Sequence, residues 1–145
     1  MTANNESEFR VGVVGYCPPT KFDRQKAVDM IEEAFDQIEK NNPGKEIVIV
    51  SGLTDVGVLG IAYTSAILRG WKTVGIACKR AEEHPLFPVA EKIIVGDNWG
   101  EESPTFLDSI DMIVRVGVGQ QSIAEAEETK RRGKPAIEFD LPVIT

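Results

Sequence analysis

The chain has 145 residues, of which 42% are hydrophobic and 27% charged, with a net charge of -7 and a sequence pI near 4.8. This length suits one domain that buries roughly 70% of its unfolded surface, with no need of a disulfide scaffold. The acidic balance excludes a sequence-independent nucleic-acid binder, which needs a basic face to release counterions, and no apolar stretch is long enough to span a bilayer.

Residues 1–8 (MTANNESE) are polar, without a basic or apolar leader segment. They are expected to form a disordered tail ahead of a single domain over 9–145. The two cysteines, Cys17 and Cys78, show no metal-ligand spacing. Free thiols in a cytoplasmic, reducing setting are expected, and no metal site.

Phe9 to Gly15 (FRVGVVG) is a Val-rich run that reads as a strand covered on both faces, broken by Tyr16-Cys17-Pro18-Pro19. From Phe22 to about Lys40, apolar residues at Ala27, Val28, Ile31, Ala34, Phe35 and Ile38 form one stripe of a helix, with Thr20 or Asp23 as its cap. Asn41-Asn42-Pro43-Gly44 ends it, and Glu46 to Ser51 (EIVIVS) is a second buried strand. A glycine-containing loop, Gly52 to Gly57, then enters a helix to Arg69 that is apolar almost all round. Such a helix must be covered on most sides, by the sheet and by a second subunit, so a homo-oligomer is expected. Asp55 reads as its N-cap and Gly70 as its stop.

Lys72 to Cys78 is a third strand, followed by a polar loop with the only histidine, His84. Lys92 to Gly96 is a fourth strand, Asp97 to Gly100 a turn, Ser103 to Ser109 a short helix, Ile110 to Val116 a fifth strand and Ala136 to Leu141 a sixth. Between the last two strands Ser122 and Glu125 read as a capping box. Glu127 with Arg131 and Glu128 with Arg132 stand at i,i+4, and Gly133 and Pro135 close the helix.

Strands alternating with helices, without hairpin turns between them, predict an α/β domain: one doubly wound, mostly parallel sheet with helices on both faces. Right-handed crossovers place every strand-to-helix loop on one rim of the sheet. There a glycine loop lets backbone approach a ligand, and the following helix presents unpaired N–H groups to an anion. Gly52, Thr54, Gly57, Gly117, Gly119, Gln120 and Ser122 are the candidate phosphate-binding residues. Lys79, Arg80 and Arg115 are nearby charges, read first as a solvated run and an ion pair. His84 reads as a surface loop residue, and Tyr16 and Trp99 are candidates for stacking on a base.

The two glycine loops, at this separation in a small parallel α/β chain, resemble those of the LONELY GUY-type phosphoribohydrolases, also labelled lysine decarboxylase-like. They equally resemble the wider Rossmann-like nucleotide-binding superfamily, which includes molybdenum-cofactor carrier proteins. The resemblance spans about Phe9 to Pro142. The family's first loop reads GGGxxGxMG; Gly52 to Gly60 keeps its first, fourth and last glycines. Its second reads PGGxGTxxE; Gly117 to Glu125 keeps Gly119, a hydroxyl at Ser122 and Glu125. The family's catalytic Arg-Lys pair falls by spacing on Glu102 and Ser103, which carry no positive charge.

The resemblance therefore implies a binding, sensing or carrier domain for a small phosphorylated ligand, a nucleotide or nucleotide-like cofactor, with no cofactor required for chemistry. The enzyme alternative is hydrolysis of the N-glycosidic bond of a nucleoside 5′-monophosphate, with Glu125 as the catalytic carboxylate. A further alternative is an oligomeric interaction module whose nucleotide site has decayed.

Overall fold

Strands with apolar residues at consecutive positions need cover on both faces, and a parallel sheet between two helical layers supplies it. The structure, a computed structural model, describes residues 7–144. Its strands are β1 (Glu8–Gly15), β2 (Glu46–Ser51), β3 (Lys72–Ala77), β4 (Glu91–Ile94), β5 (Met112–Val116) and β6 (Ala136–Phe139). They pair in parallel in the order β4-β3-β2-β1-β5-β6. The tail expected over residues 1–8 falls, for residues 1–6, outside the described residues, while Glu8 already pairs with Glu46.

Alternation of side chains across the sheet splits the core in two. Val11, Val13, Ile49, Val114 and Val116 pack with α1 (Arg24–Asn41) and α2 (Gly57–Leu68). Val14, Val48, Val50, Ile76 and Ile113 pack instead with α3 (Ser103–Asp108) and α4 (Gln120–Arg131) on the opposite face. Gly12 lies where α3 crosses β1, and a Cβ there would stand 2.7 Å from the Phe106 ring.

The α1 cap is Asp23, whose carboxylate accepts from the Lys26 amide at 3.1 Å, and of the predicted stripe Ala27, Ile31, Ala34, Phe35 and Ile38 are buried and Val28 partly so. The α2 cap differs from expectation. Val56 holds that position with no side-chain hydrogen bond, and Asp55 is instead drawn by its backbone N–H to the Pro85 carbonyl at 2.9 Å. The chain turns into α2 one residue later, at Gly57, with φ +56.

Most of the apolar surface of α2 is covered within the chain. Val58, Leu59, Ile61, Ala62, Tyr63 and Ala66 are buried, and Tyr63 stacks on Phe87 at 4.9 Å. Ile67 and Leu68, 52% and 82% exposed, remain open at its last turn. The surplus that suggested a second subunit is thus reduced to the end of the helix. Among the described residues no helix is long and apolar enough to cross a membrane.

From β1 the chain moves outward through β2, β3 and β4, then returns across the sheet to place β5 and β6 on the other side of β1. The direction of winding reverses between β1 and β5. In open parallel sheets the loops leaving two such strands diverge and leave a crevice at their C-terminal ends.

Candidate ligand-binding site

A cavity of about 540 Å³ occupies that crevice. Its floor is the C-terminal end of β1 with Ser51 of β2, Gly52 just after it, and Ile76 and Ala77 of β3. One wall comes from Thr54, Val56 and Leu59 at the start of α2, another from Glu102 and Phe106 of α3, and a third from Gly119 to Ser122 and Glu125 of α4. Cys17, His84 and Trp99, all exposed, border it.

Of the residues singled out in the sequence, Gly52, Thr54, Gly119, Gln120, Ser122 and Glu125 line this cavity together. Gly57 and Gly117 do not line it. Both have positive φ, +56 and +110, and both are held against Tyr16. A Cβ on Gly57 would lie 2.1 Å from the Tyr16 carbonyl oxygen, and one on Gly117 would lie 2.6 Å from the Tyr16 ring. Their glycines are required by close packing inside the chain.

Tyr16 itself is a buried strut. Its hydroxyl donates to the Leu141 carbonyl at 2.7 Å and accepts from the Val118 amide at 2.9 Å. Its ring packs at 5.7 Å from Phe22. It fixes the β5–α4 loop and, although only 5% exposed, also lines the cavity.

The α4 helix starts earlier than the sequence pattern implied. Gly119 is its N-cap, extended at φ -62 and ψ 146, with no side-chain cap hydrogen bond, so Ser122 is the third helical residue and not a cap. The Ser-x-x-Glu spacing is real, but the helix is capped three residues upstream, with the Ile123 amide bonding to the Gly119 carbonyl at 3.0 Å. The amides of Gln120, Gln121 and Ser122 therefore find no partner within the helix and sit at its positive end. The space beside Gly119 is open: a Cβ there would meet nothing nearer than the Ser122 Oγ at 3.9 Å.

Glu125, 8% exposed, follows on the same wall one turn into the helix. Ser103 donates its hydroxyl to Glu125 Oε2 at 2.8 Å, and the Gln121 amide reaches the same oxygen at 3.5 Å. Burial pushes the Glu125 carboxyl above its ordinary pKa, against the pull of Ser103 and Gln121 and with a small contribution from Glu102 in the same direction. Among the described residues no lysine or arginine lines the cavity.

The neighbouring charges are spent elsewhere. Arg115 is buried and bonds Glu138 at 3.0 Å, Asp140 at 2.8 Å and the Gly117 carbonyl. Arg80 pairs with Glu83 at 3.8 Å, and neither it nor Lys79 borders the cavity. His84 is exposed, as expected of a loop residue, yet it also stands at the cavity mouth, 5.8 Å from the Trp99 ring. Both cysteines are free. Among the described residues no group of three His, Cys, Asp or Glu side chains is placed to hold a metal ion.

The fold is shared with solved proteins. The molybdenum cofactor carrier protein of Chlamydomonas reinhardtii superposes with a TM-score of 0.70 at 21% identity, over 90% of this chain and 76% of that one. The molybdenum cofactor binding protein of the phototrophic bacterium Rippkaea orientalis superposes with a TM-score of 0.72 at 18% identity, over 95% of this chain and 80% of that one. The chain has their Rossmann-like fold. No family model matches the sequence, and no curated protein matches it by sequence.

Sequence reasoning missed the apolar walls. Leu53, Leu59, Ile76 and Phe106 read as core residues, since a buried side chain facing a cavity has the same pattern as one facing another side chain. Ser103 was passed over because a hydroxyl at the start of a short helix has many uses. The one hint was its place where the resembled family carries a catalytic cation.

Proposed function

We propose that this chain is a binding domain, acting as a carrier or sensor, for a small phosphorylated ligand of the nucleotide or nucleotide-like cofactor class. The observation that carries this reading is the uncapped start of α4, whose Gln120, Gln121 and Ser122 amides open beside the unobstructed Gly119 on the cavity at the strand-order switch. Backbone N–H groups of this kind hold phosphate without a cation, each contributing a charge-assisted hydrogen bond. The hydroxyls of Thr20, Thr54 and Ser122 lie on the same cavity and would orient the anion. The molybdenum cofactor named for the two neighbours is among the ligands this reading admits.

Binding is favoured over glycosidic hydrolysis by what surrounds Glu125. The resembled hydrolases would place a cation beside this carboxylate, and here Ser103 bonds to it and Glu102 stands nearby. A proton NMR time course of AMP with the protein separates the two. Broadened but chemically unchanged AMP resonances are expected. Release of adenine and ribose 5-phosphate, abolished by Glu125→Gln, would overturn the binding reading in favour of the hydrolase.

A further inference from the structure

Glu125 keeps one carboxylate oxygen open on the cavity side. Among the described residues both of its hydrogen bonds end on Oε2, and Oε1 has no partner. Among the described residues no enclosed side-chain oxygen or nitrogen lacks a partner, so Oε1 must retain access to open space. The side chain is 8% exposed and forms part of the cavity wall, which makes the cavity that space. On Oε2 the Gln121 contact is long, at 3.5 Å, so this oxygen is also only partly satisfied.

Among the described residues no lysine or arginine borders the cavity, so a ligand that displaces water from Oε1 must itself supply the partner. It has to be a hydrogen-bond donor, since a buried carboxylate beside Glu102 repels an anion. The surrounding walls, Leu53, Leu59, Ile76 and Phe106, are apolar and suit a flat ring. Ser103 anchors the carboxylate through Oε2 at 2.8 Å.

We propose that Glu125 reads the edge of a planar heterocycle, its two carboxylate oxygens accepting from a ring N–H and the amino group next to it. That donor pair belongs to the 2-amino-4-oxopyrimidine ring, which guanine nucleotides and phosphorylated pterins share. The assignment rests on the cavity being a site for a phosphorylated ligand, and it adds which end of that ligand is recognised and by what.

Calorimetric titration of the full chain with GMP, neopterin monophosphate, IMP and AMP tests it, with inorganic phosphate as a fifth probe. Where both donors are present, binding should be roughly 10- to 100-fold tighter than for AMP, with IMP, which lacks the amino group, in between. Tight GMP with weak neopterin monophosphate would identify a guanine ligand, and the reverse a pterin. In Glu125→Gln the preference should shrink to about threefold or less, because a side-chain amide cannot accept twice. If Glu125→Gln fails to fold, the comparison of GMP, IMP and AMP on the parent protein still decides. Equal affinity for AMP and both two-donor ligands, or a preference that survives Glu125→Gln, would overturn the proposal while leaving a phosphate site intact. Failure of all five probes to bind would remove the phosphorylated-ligand reading itself, and this one with it.

Discussion

The Tyr16 hydroxyl accepts from the Val118 amide at 2.9 Å across 102 residues of sequence, tying the end of β1 to the loop that opens α4. The same hydroxyl donates to Leu141 at 2.7 Å, so one side chain clamps two segments beside the cavity. Tyr16→Phe keeps the ring and strands a buried carbonyl and an amide, which should cost about 1–3 kcal/mol. Urea unfolding at pH 7 measures this. A loss below a few tenths would mean that water replaces the clamp.

Gly117 and Gly119 differ in what surrounds them, and alanine at each should separate folding from binding. Gly117→Ala forces a side chain into φ +110 and against the Tyr16 ring, and should destabilise by about 1–3 kcal/mol. Gly119→Ala meets open space at an ordinary backbone angle, so stability should change by no more than about 1 kcal/mol. Its methyl group narrows the approach to the α4 amides, and phosphate binding should weaken. Equal destabilisation by the two substitutions would contradict the packing described for Tyr16.

Burial raises the Glu125 pKa above its ordinary value of 4.5. Between these two values the folded state binds more protons than the unfolded one, so this group's contribution to stability is lost as pH rises through the window. Above the folded value the cost is constant. Glu125→Gln removes the titration, and its melting temperature relative to the parent should climb as pH rises from 4.5, then level off. A difference that does not change with pH would argue against the buried, cation-free setting.

Arg115 presents the opposite case. Lys130 first, and then Arg115, hold the Glu138 carboxyl below its ordinary value, so that pair stabilises above pH 4.5 and the gain is lost as pH falls through the folded value. Arg115→Gln releases Glu138 and the Gly117 carbonyl, while the Asp140 contact, 77% exposed on the acid's side, contributes little. A loss of about 2 kcal/mol at pH 7 is expected, shrinking in acid as Glu138 protonates. Denaturant midpoints at pH 7 and in acid would show it, and a loss that grows in acid would contradict the pairing.

Much of the fold is legible in the chain because it depends on local pattern. The Glu46–Ser51 strand has its predicted limits and the α1 stripe follows from spacing alone, while the choice of Asp23 over Thr20 as its cap is made by the structure. The α4 start was misplaced because Ser122 and Glu125 satisfy a local pattern, whereas the true boundary at Gly119 is imposed by the loop held between Tyr16 and Arg115. Gly57 and Gly117 stand in the sequence as candidate phosphate-binding glycines, and their packing against Tyr16 is not legible there, since that contact joins distant segments. The cavity's composition was hidden for the same reason. Leu53, Phe106 and Glu125 come together only when helices from opposite ends of the chain flank one crevice.

The central claim is that the uncapped start of α4 holds the phosphate of a small ligand. Amide-resolved NMR of the isotopically labelled protein, titrated first with inorganic phosphate and then with GMP, tests it most directly. Saturable shifts concentrated at the Gly119, Gln120, Gln121 and Ser122 amides are predicted for both probes, with Glu125 and Ser103 joining only for GMP. Shifts elsewhere on the chain with these amides unmoved, or no shifts with either probe, would contradict it.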